Sequence, residues 1–443
     1  MNRIGLKKKF LYSLLLLGFS FVCFTFYFIY AIQIAPPFVA DLSSAGLIRE
    51  SISANVYRCN DSWLRKSSTG IWELSVRGSD FELGAKTGIL SRELIQYQEE
   101  AFVNEIYKMI PSENYLSFLK YFIAWFNKDM DHFIPLALQR EIYGISLAAS
   151  EDYSFIAPNY QRILNYHGAH DIGHAMQNMN MVACTALASW GDRSKDGEVL
   201  IGRNFDFYVG DDFAKNKMIS FYHPTEGHAF AMVTWGGMVG VVSGMNEAGL
   251  TVTLNAAKSD VPTSAKCPVS LVARLILQHA GSISEAISIA QQHETFVAEI
   301  FLIGSAKDGE AVCIEKSTHQ TEVFHSPKED LLAVTNHFQS PAYSKRSLTM
   351  ENIKESASLY RLHRLEELAQ QTTQHTPQTM ASILRNRYGK NQQNIGMSNE
   401  KAINQFIAHH AIIFQPAKLR IWLSTDHYQM GKMVCYDLAN IFS

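Results

Sequence analysis

The stretch from Met181 to Asp206 suits few local structures. Met181-Val182-Ala183-Cys184-Thr185-Ala186-Leu187-Ala188-Ser189-Trp190 reads as a strand, and Gly191 to Gly197 as a polar turn. A second strand, Glu198 to Gly202, then ends in Arg203-Asn204-Phe205-Asp206. Two apolar runs around a Gly/Asp/Ser turn form a β-hairpin signal. Such a hairpin returns Arg203 and Asp206 to the end of the ladder where Cys184 begins. A thiol is a nucleophile only as thiolate, so a catalytic cysteine needs a base nearby, and no histidine closely follows this one. The ordinary fate of a lone cysteine is burial as a structural thiol. The chemistry of Cys184 therefore turns on what accompanies it.

The N-terminus is a targeting or anchoring element. Arg3, Lys7, Lys8 and Lys9 precede an uncharged run of 23 residues from Phe10 to Ile32. That exceeds the roughly 7–15 apolar residues of a signal-peptide core and suffices to span a bilayer, with the basic flank cytoplasmic. No clear small-x-small cleavage site follows, so residues 1–35 read as an uncleaved signal anchor, with a cleaved long signal as the alternative, and either places the body outside the cytoplasm. Such a compartment favours disulfides. With Cys23 in the span and Cys184 reserved, Cys59, Cys267, Cys313 and Cys435 leave room for one whose pairing the sequence leaves open.

Residues 36–183 read as mostly helical. Trp72 to Gly78 is a strand, but apolar residues at three- and four-residue spacing predict helices over 91–109, 113–128 and 135–149. His167, His170 and His174 sit at spacings of three and four, as ligands on one helix face do. Two glycines interrupt that pattern, and no metal or other cofactor is expected. The net charge of −3 leaves no basic footprint for nucleic acid.

From Cys184 on, strands alternate with helices. Strands are predicted at 218–222, 229–235, 238–242, 250–255, 299–303, 311–315, 322–324, 331–335, 419–424 and 432–436. Helices are predicted at 268–280, 283–292, 344–371 and 377–386, with Ser282 and Ser284 as candidate caps.

Four blocks occur in one order: Cys184-Thr185; Gly202-Arg203-Asn204-Phe205-Asp206; the Ser243 to Leu250 turn leading to Asn255; and Val334-Thr335-Asn336-His337-Phe338. Together they make the chain resemble the N-terminal-nucleophile (Ntn) amide hydrolases and acyltransferases from about Trp72 onward. The likeness is strongest to the acyl-CoA:6-aminopenicillanic acid acyltransferase branch, with choloylglycine hydrolases and acid ceramidase-like amidases as relatives. The resemblance implies an α/β (α+β) fold, a four-layer αββα sandwich over 184–443 with 36–183 as a pro-segment that stays associated after self-cleavage before Cys184. The freed α-amine then serves as the base, since an α-amine titrates near about pH 8, close to where a general base works best.

By the same resemblance Arg203 stands by the thiolate, Asp206 orients the amine, and Asn255 and Asn336 donate to the oxyanion. A helical arginine is also implied, Arg361 in preference to Arg364. His337 is tempting as a base, but the motif gives that role to the amine. The implied activity is hydrolysis of a linear N-acyl amide through a thioester. Acyl transfer from a thioester donor to an amine, a phospholipase B-like lipid hydrolase, and a non-catalytic binding relative are the alternatives. An apolar acyl pocket would draw on Phe205, Phe207, Tyr208, Phe221, Tyr222, Met232 and Trp235.

One prediction rests on the N-terminal pattern alone. A reporter active only outside the cytoplasm, fused after Ser443, gives signal in cells. Signal from a cytoplasm-only reporter at that position overturns the topology.

Overall fold

The structure, a computed structural model, describes residues 3–176, 183–328, 330–425 and 427–443. Helix α1 (Arg3–Ala31) comes first, and its Lys8–Ala31 stretch is long and apolar enough to cross a membrane. Strands β1 (Glu50–Ser53), β2 (Val56–Cys59) and β3 (Ser62–Lys66) follow. They turn at Asn55 and Asn60, both left-handed, a conformation asparagine tolerates. After β4 (Trp72–Gly78) come α2 (Asp80–Met109), α3 (Glu113–Asn127), α4 (Leu136–Ser146) and α5 (Asn159–Met176). A Ser79/Glu82 capping box starts α2. The Ser91 hydroxyl bonds back to Thr87 O (2.6 Å) where that helix kinks.

Beyond Cys184 the hairpin β5 (Thr185–Ser189) and β6 (Leu200–Asp206) leads to β7 (Met218–Pro224), β8 (Phe230–Thr234), β9 (Ser243–Asn246) and β10 (Leu250–Ala256). Helices α6 (Val269–His279) and α7 (Ile283–Gln292) come next, the latter capped by Ser282. Strands β11 (Glu299–Ser305), β12 (Glu310–Lys316), β13 (Thr321–Phe324) and β14 (Leu331–Val334) precede α8 (Ser347–Glu355), α9 (Ser358–Gln370) and α10 (Pro377–Leu384). The chain ends in β15 (Ala408–Gln415), β16 (Arg420–Ser424), β17 (Met433–Asp437) and α11 (Leu438–Phe442).

Among the described residues the strands form two sheets. The larger runs β1-β2-β3-β4-β7-β8-β9-β10-β11-β12-β13, the smaller β14-β5-β6-β15-β16-β17. Between them lies an apolar layer that includes Ile201, Phe221, Val233, Ile300 and Ile412. The other face of the large sheet packs on helices through Leu83, Ile142, Ile163 and Leu275. That of the small sheet packs on α9 and α10 through Leu187, Leu365, Met380 and Ile413. Strand β4 pairs with β7 in parallel, Trp72 opposite Met218 through Gly78 opposite Pro224. Residues from both sides of Cys184 thus share one sheet.

Several expectations need correction. Met238 to Val242 is not a strand, because Val239 N bonds His167 Nε2 (3.0 Å) and Val241 N bonds Ser270 O (2.8 Å), so its donors go to helices. The strand is Ser243–Asn246, which the sequence pattern assigned to a turn. The Arg203/Asp206 block lies inside β6 rather than beyond it. The hairpin's first strand starts at Thr185, and Met181 and Val182 lie outside the described residues. The predicted 344–371 helix divides into α8 and α9, and all six cysteines are free.

Helices α2 and α4 cross at two glycines. A Cβ on Gly84 would lie 1.9 Å from Glu141 O, and one on Gly144 2.4 Å from Ala85 N. Overpacking of this kind costs about 1–3 kcal/mol. Gly84→Ala and Gly144→Ala should each lower the urea midpoint by that equivalent. Gly88→Ala, with nearest atoms at 3.1 Å, should cost less. Unchanged midpoints for all three would show that the helices part freely.

Candidate functional site

Cys184 stands one residue before the Thr185/Asn204 pair that begins the hairpin ladder, and Ala183 N bonds Asp206 O (3.2 Å). The thiol is buried. Arg203 Nη2 donates to its Sγ (3.4 Å), and the same guanidinium donates to Val242 O, Ser243 Oγ and Leu254 O while lying over the Phe205 ring at 4.5 Å. Burial pushes the thiol pKa up, and the Arg203 charge opposes that without offsetting it. The thiol therefore rests protonated and needs a base.

Arg361, from the first turn of α9, reaches the same point from the small sheet's outer side. Its Nη1 donates to Ala183 O (2.7 Å), Cys184 O (2.8 Å) and Thr185 Oγ1 (3.0 Å), and its Nη2 to Asn336 Oδ1 (2.9 Å). Far from a solvated helical arginine, it is 2% exposed. Helix α9 is seated by Ser358, whose Oγ accepts from Asn336 N (2.9 Å), and by Leu362 and Leu365 against the small sheet. Arg364 points elsewhere, to Glu367 (2.7 Å) and Tyr388 O (3.2 Å).

Asn336 is joined to Cys184 through Arg361, and its Nδ2 donates to Ala256 O (2.9 Å). Asn255 instead donates to Thr335 O (3.2 Å), with no bond to Cys184 among those described. Asp206 lies three residues from Arg203, on the opposite face of β6. Both its carboxyl oxygens are buried without a hydrogen-bond partner among the described residues. Burial raises its pKa to about 7, and the Arg361 and Arg203 charges act in the other direction. His337 Nδ1 bonds Ser358 Oγ (2.7 Å) and serves the start of α9. His167 has both ring nitrogens engaged, with Ile163 O (2.8 Å) and Val239 N. His170 bonds Asp171 (3.0 Å), and the His174 side chain lies outside the description.

Two cavities share Phe207, which follows β6, and neither has Cys184 among its lining residues. An apolar one of about 60 Å³ is lined by Phe102, Ile163, Phe207, Phe213, Trp235 and Met238 among others. An open cleft of about 680 Å³ is lined by Phe207, Tyr208, Lys217 and His409 among others. Phe205 is buried beside them, 5.8 Å from the Phe207 ring. Phe221, Tyr222 and Met232 line neither; they are core, with Phe221 between the sheets and Tyr222 stacked on Phe230 (5.1 Å). Sequence reasoning passed over His409, His410 and Ser243. Adjacent histidines inside the apolar run Ala408–Phe414 were the available signal.

Comparison with known proteins adds the family. The model of the family "Acyl-coenzyme A:6-aminopenicillanic acid acyl-transferase" matches residues 193–429, more than half of the chain. An uncharacterized protein of Archaeoglobus fulgidus is 25% identical over 307 residues, covering 61% of this chain and 51% of its own, so the chain spans about half the length of that curated relative. Among solved structures, a Caenorhabditis elegans N-acylethanolamine-hydrolyzing acid amidase ortholog overlaps 53% of this chain and 93% of its own, at 16% identity and a TM-score of 0.39. Penicillin V acylase from Agrobacterium tumefaciens overlaps 58% and 86%, at 13% identity and a TM-score of 0.38. A variant of the conjugated bile acid hydrolase from Clostridium perfringens overlaps 58% and 93%, at 14% identity and a TM-score of 0.37. By the match over residues 193–429, the chain belongs to the acyl-coenzyme A:6-aminopenicillanic acid acyl-transferase family of enzymes.

Proposed function

We propose that this protein is a self-processing cysteine amidase that cuts its own chain between Ala183 and Cys184 and then hydrolyses linear N-acyl amides. One observation carries the reading. Arg361 donates to the carbonyl oxygen of Ala183, the acyl oxygen of the bond to be cut, and to that of Cys184. Attack of the Cys184 thiol on the Ala183 carbonyl carbon would develop charge on an oxygen that already faces a fixed cation. The Cys184 nitrogen leaves as the amine, taking up the thiol proton. Water then hydrolyses the thioester, releasing the Ala183 carboxylate and restoring the thiol.

In the cut chain the new α-amine takes the thiol proton as the thiolate attacks a substrate amide, and returns it to the departing amine. Asp206, whose buried carboxyl has no donor among the described residues, is the group that orients that amine. Asn255 and Asn336 donate to the substrate oxyanion. The acyl group lies against Phe205, Phe207 and Trp235, with Tyr208 on the cleft side of them, and is apolar because the small cavity lined by Phe207 and Trp235 is. The body is a four-layer αββα arrangement whose 36–183 segment stays bound, held to the extracytoplasmic face of a membrane by α1. Acyl transfer to an amine is the second reading, favoured by the description of the family itself. Acid release from an N-acyl amide in the absence of any amine acceptor separates the two.

Intact-mass analysis tests the cut. The wild type should yield a fragment beginning at Cys184, Cys184→Ala should stay whole and inactive, and Cys184→Ser should retain some cutting. Arg361→Lys should slow the cut by about 10²–10³-fold, the usual cost of an oxyanion donor. An active wild type that remains one chain overturns the mechanism.

Asp206 gives a second test, in the uncut Cys184→Ala protein. Its folded pKa of about 7 lies above the unfolded value near about 3.9. The neutral form is favoured on folding, so stability is full below about pH 4 and falls as pH rises to about 7. Asp206→Asn should remove this fall, gaining about 2–4 kcal/mol on its parent between pH 4 and 8 by urea denaturation. Parallel profiles for the two proteins would mean that Asp206 does not titrate there.

A further inference from the structure

Strand β15 carries a bulge opposite β6: Ala408 pairs with Asp206 and His410 with Phe205, so His409 is the extra residue. Bulges re-aim side chains, and here two consecutive histidines meet on one side, His409 Nδ1 lying 2.9 Å from His410 Nδ1. His410 Nε2 is 2.9 Å from Ser243 Oγ, which also receives an N–H from Arg203.

The proton positions along this chain follow from its first member. A guanidinium only donates, so Ser243 accepts from Arg203, and the described acceptor for its own hydroxyl proton is His410 Nε2. His410 then carries its proton on Nδ1 and donates to His409 Nδ1. That leaves the His409 proton on Nε2. Burial drives both rings to the neutral form, lowering His409 to about 3, with Lys217 and Arg203 adding to the effect. His409 is 1% exposed, its Nε2 has no hydrogen-bond partner among the described residues, and its ring lines the large cleft. The chain thus ends in a buried donor without a partner among the described residues, on a ring that forms part of the cleft wall.

We propose that His409 Nε2–H is a substrate-binding donor, aligned from Arg203 through Ser243 and His410, for an acceptor oxygen on the amine side of the scissile amide. The side follows from the two cavities. The small one beyond Phe213 and Trp235 is apolar and suits the acyl group. The cleft is walled partly by Lys66, Thr69, Asp211 and Asn216 and suits the polar half. The cleft is also next to the thiol along β6: Phe207 and Tyr208 line it, and the Asp206 carbonyl lies 3.9 Å from Cys184 Sγ. The assignment rests on Cys184 acting on amides.

The test compares three amides of one acyl chain: N-lauroylglycine, its methyl ester, and N-butyl lauramide, which has no acceptor beyond the scissile nitrogen. Wild type should favour the first over the last by roughly tenfold in kcat/KM, chiefly through KM, as one hydrogen bond to a charged acceptor allows. The neutral ester should fall between them. His409→Phe should erase the preference while leaving N-butyl lauramide within about twofold of wild type, and His409→Gln, which keeps an N–H, should restore part of it. A wild type without preference, a preference surviving in H409F, or an equal loss on all three amides overturns the proposal. Should H409F fail to fold, Ser243→Ala cuts the chain with both rings in place and must lower the preference. If wild type turns over none of the three, the amidase reading fails on its own. Calorimetric affinity of Cys184→Ala protein for the same probes then decides: tighter N-lauroylglycine binding that is lost with H409F supports the donor, and equal affinities refute it.

Discussion

The site depends on two guanidinium groups buried without a carboxylate in direct contact among the described residues. Arg203 and Arg361 approach Cys184 from different directions, and their Nη groups donate to backbone carbonyls, hydroxyls, the Asn336 amide oxygen and the thiol, while each Nε has no partner among the described residues. Burying a cation is costly unless its hydrogen bonds are met. Much of the local structure can be understood as meeting them. Strand β6 carries Arg203 across to the carbonyls of Val242 and Leu254, and the start of α9 is held at Asn336 so that Arg361 spans Ala183, Cys184 and Thr185.

The same arrangement explains why Asp206 matters without an ion pair. Its carboxyl is buried where both cations influence it from a distance, yet neither bonds it. Glu299 is in a similar position at the start of β11: burial raises its pKa well above the usual range, Asp171 adds to the rise and Arg203 opposes it. Two cations and two carboxyls without direct pairs make a polar centre that a new charged group would reorder.

Much of this was legible in the sequence where alternation was clean. Trp72–Gly78 and Leu250–Asn255 read as strands because apolar and polar positions alternate, and both are strands. The hairpin was visible as two apolar runs around a polar turn, and the place of Arg203 beside the thiol through the resemblance. Met238 to Val242 misled because an apolar run between glycines looks like a buried strand, although its N–H groups serve helices. The edge strands β1 to β3 were missed because they are short, polar and exposed, with only Asn55 and Asn60 to mark the turns. In the site, the Gly202 to Asp206 block contains Arg203, whose guanidinium meets the thiol, but the bond of Cys184 to Arg361 joins residues 177 positions apart, and no local pattern discloses it. The bulge that brings His409 and His410 together is likewise a property of strand pairing.

The parallel ladder between β4 and β7 has a consequence for the life of the molecule. It joins the four strands that precede Cys184, β1 to β4, to seven that follow it in one sheet, with β3 on one side of residues 72–78 and β7 on the other. While the chain is whole, bringing the two strands together costs only the closure of the loop between them, which grows slowly with its length. A break at Cys184 would then be irreversible in a practical sense. The two pieces, once denatured, would have to find each other by diffusion rather than through a tether, and a molecule that folded readily as one chain would not recover as two.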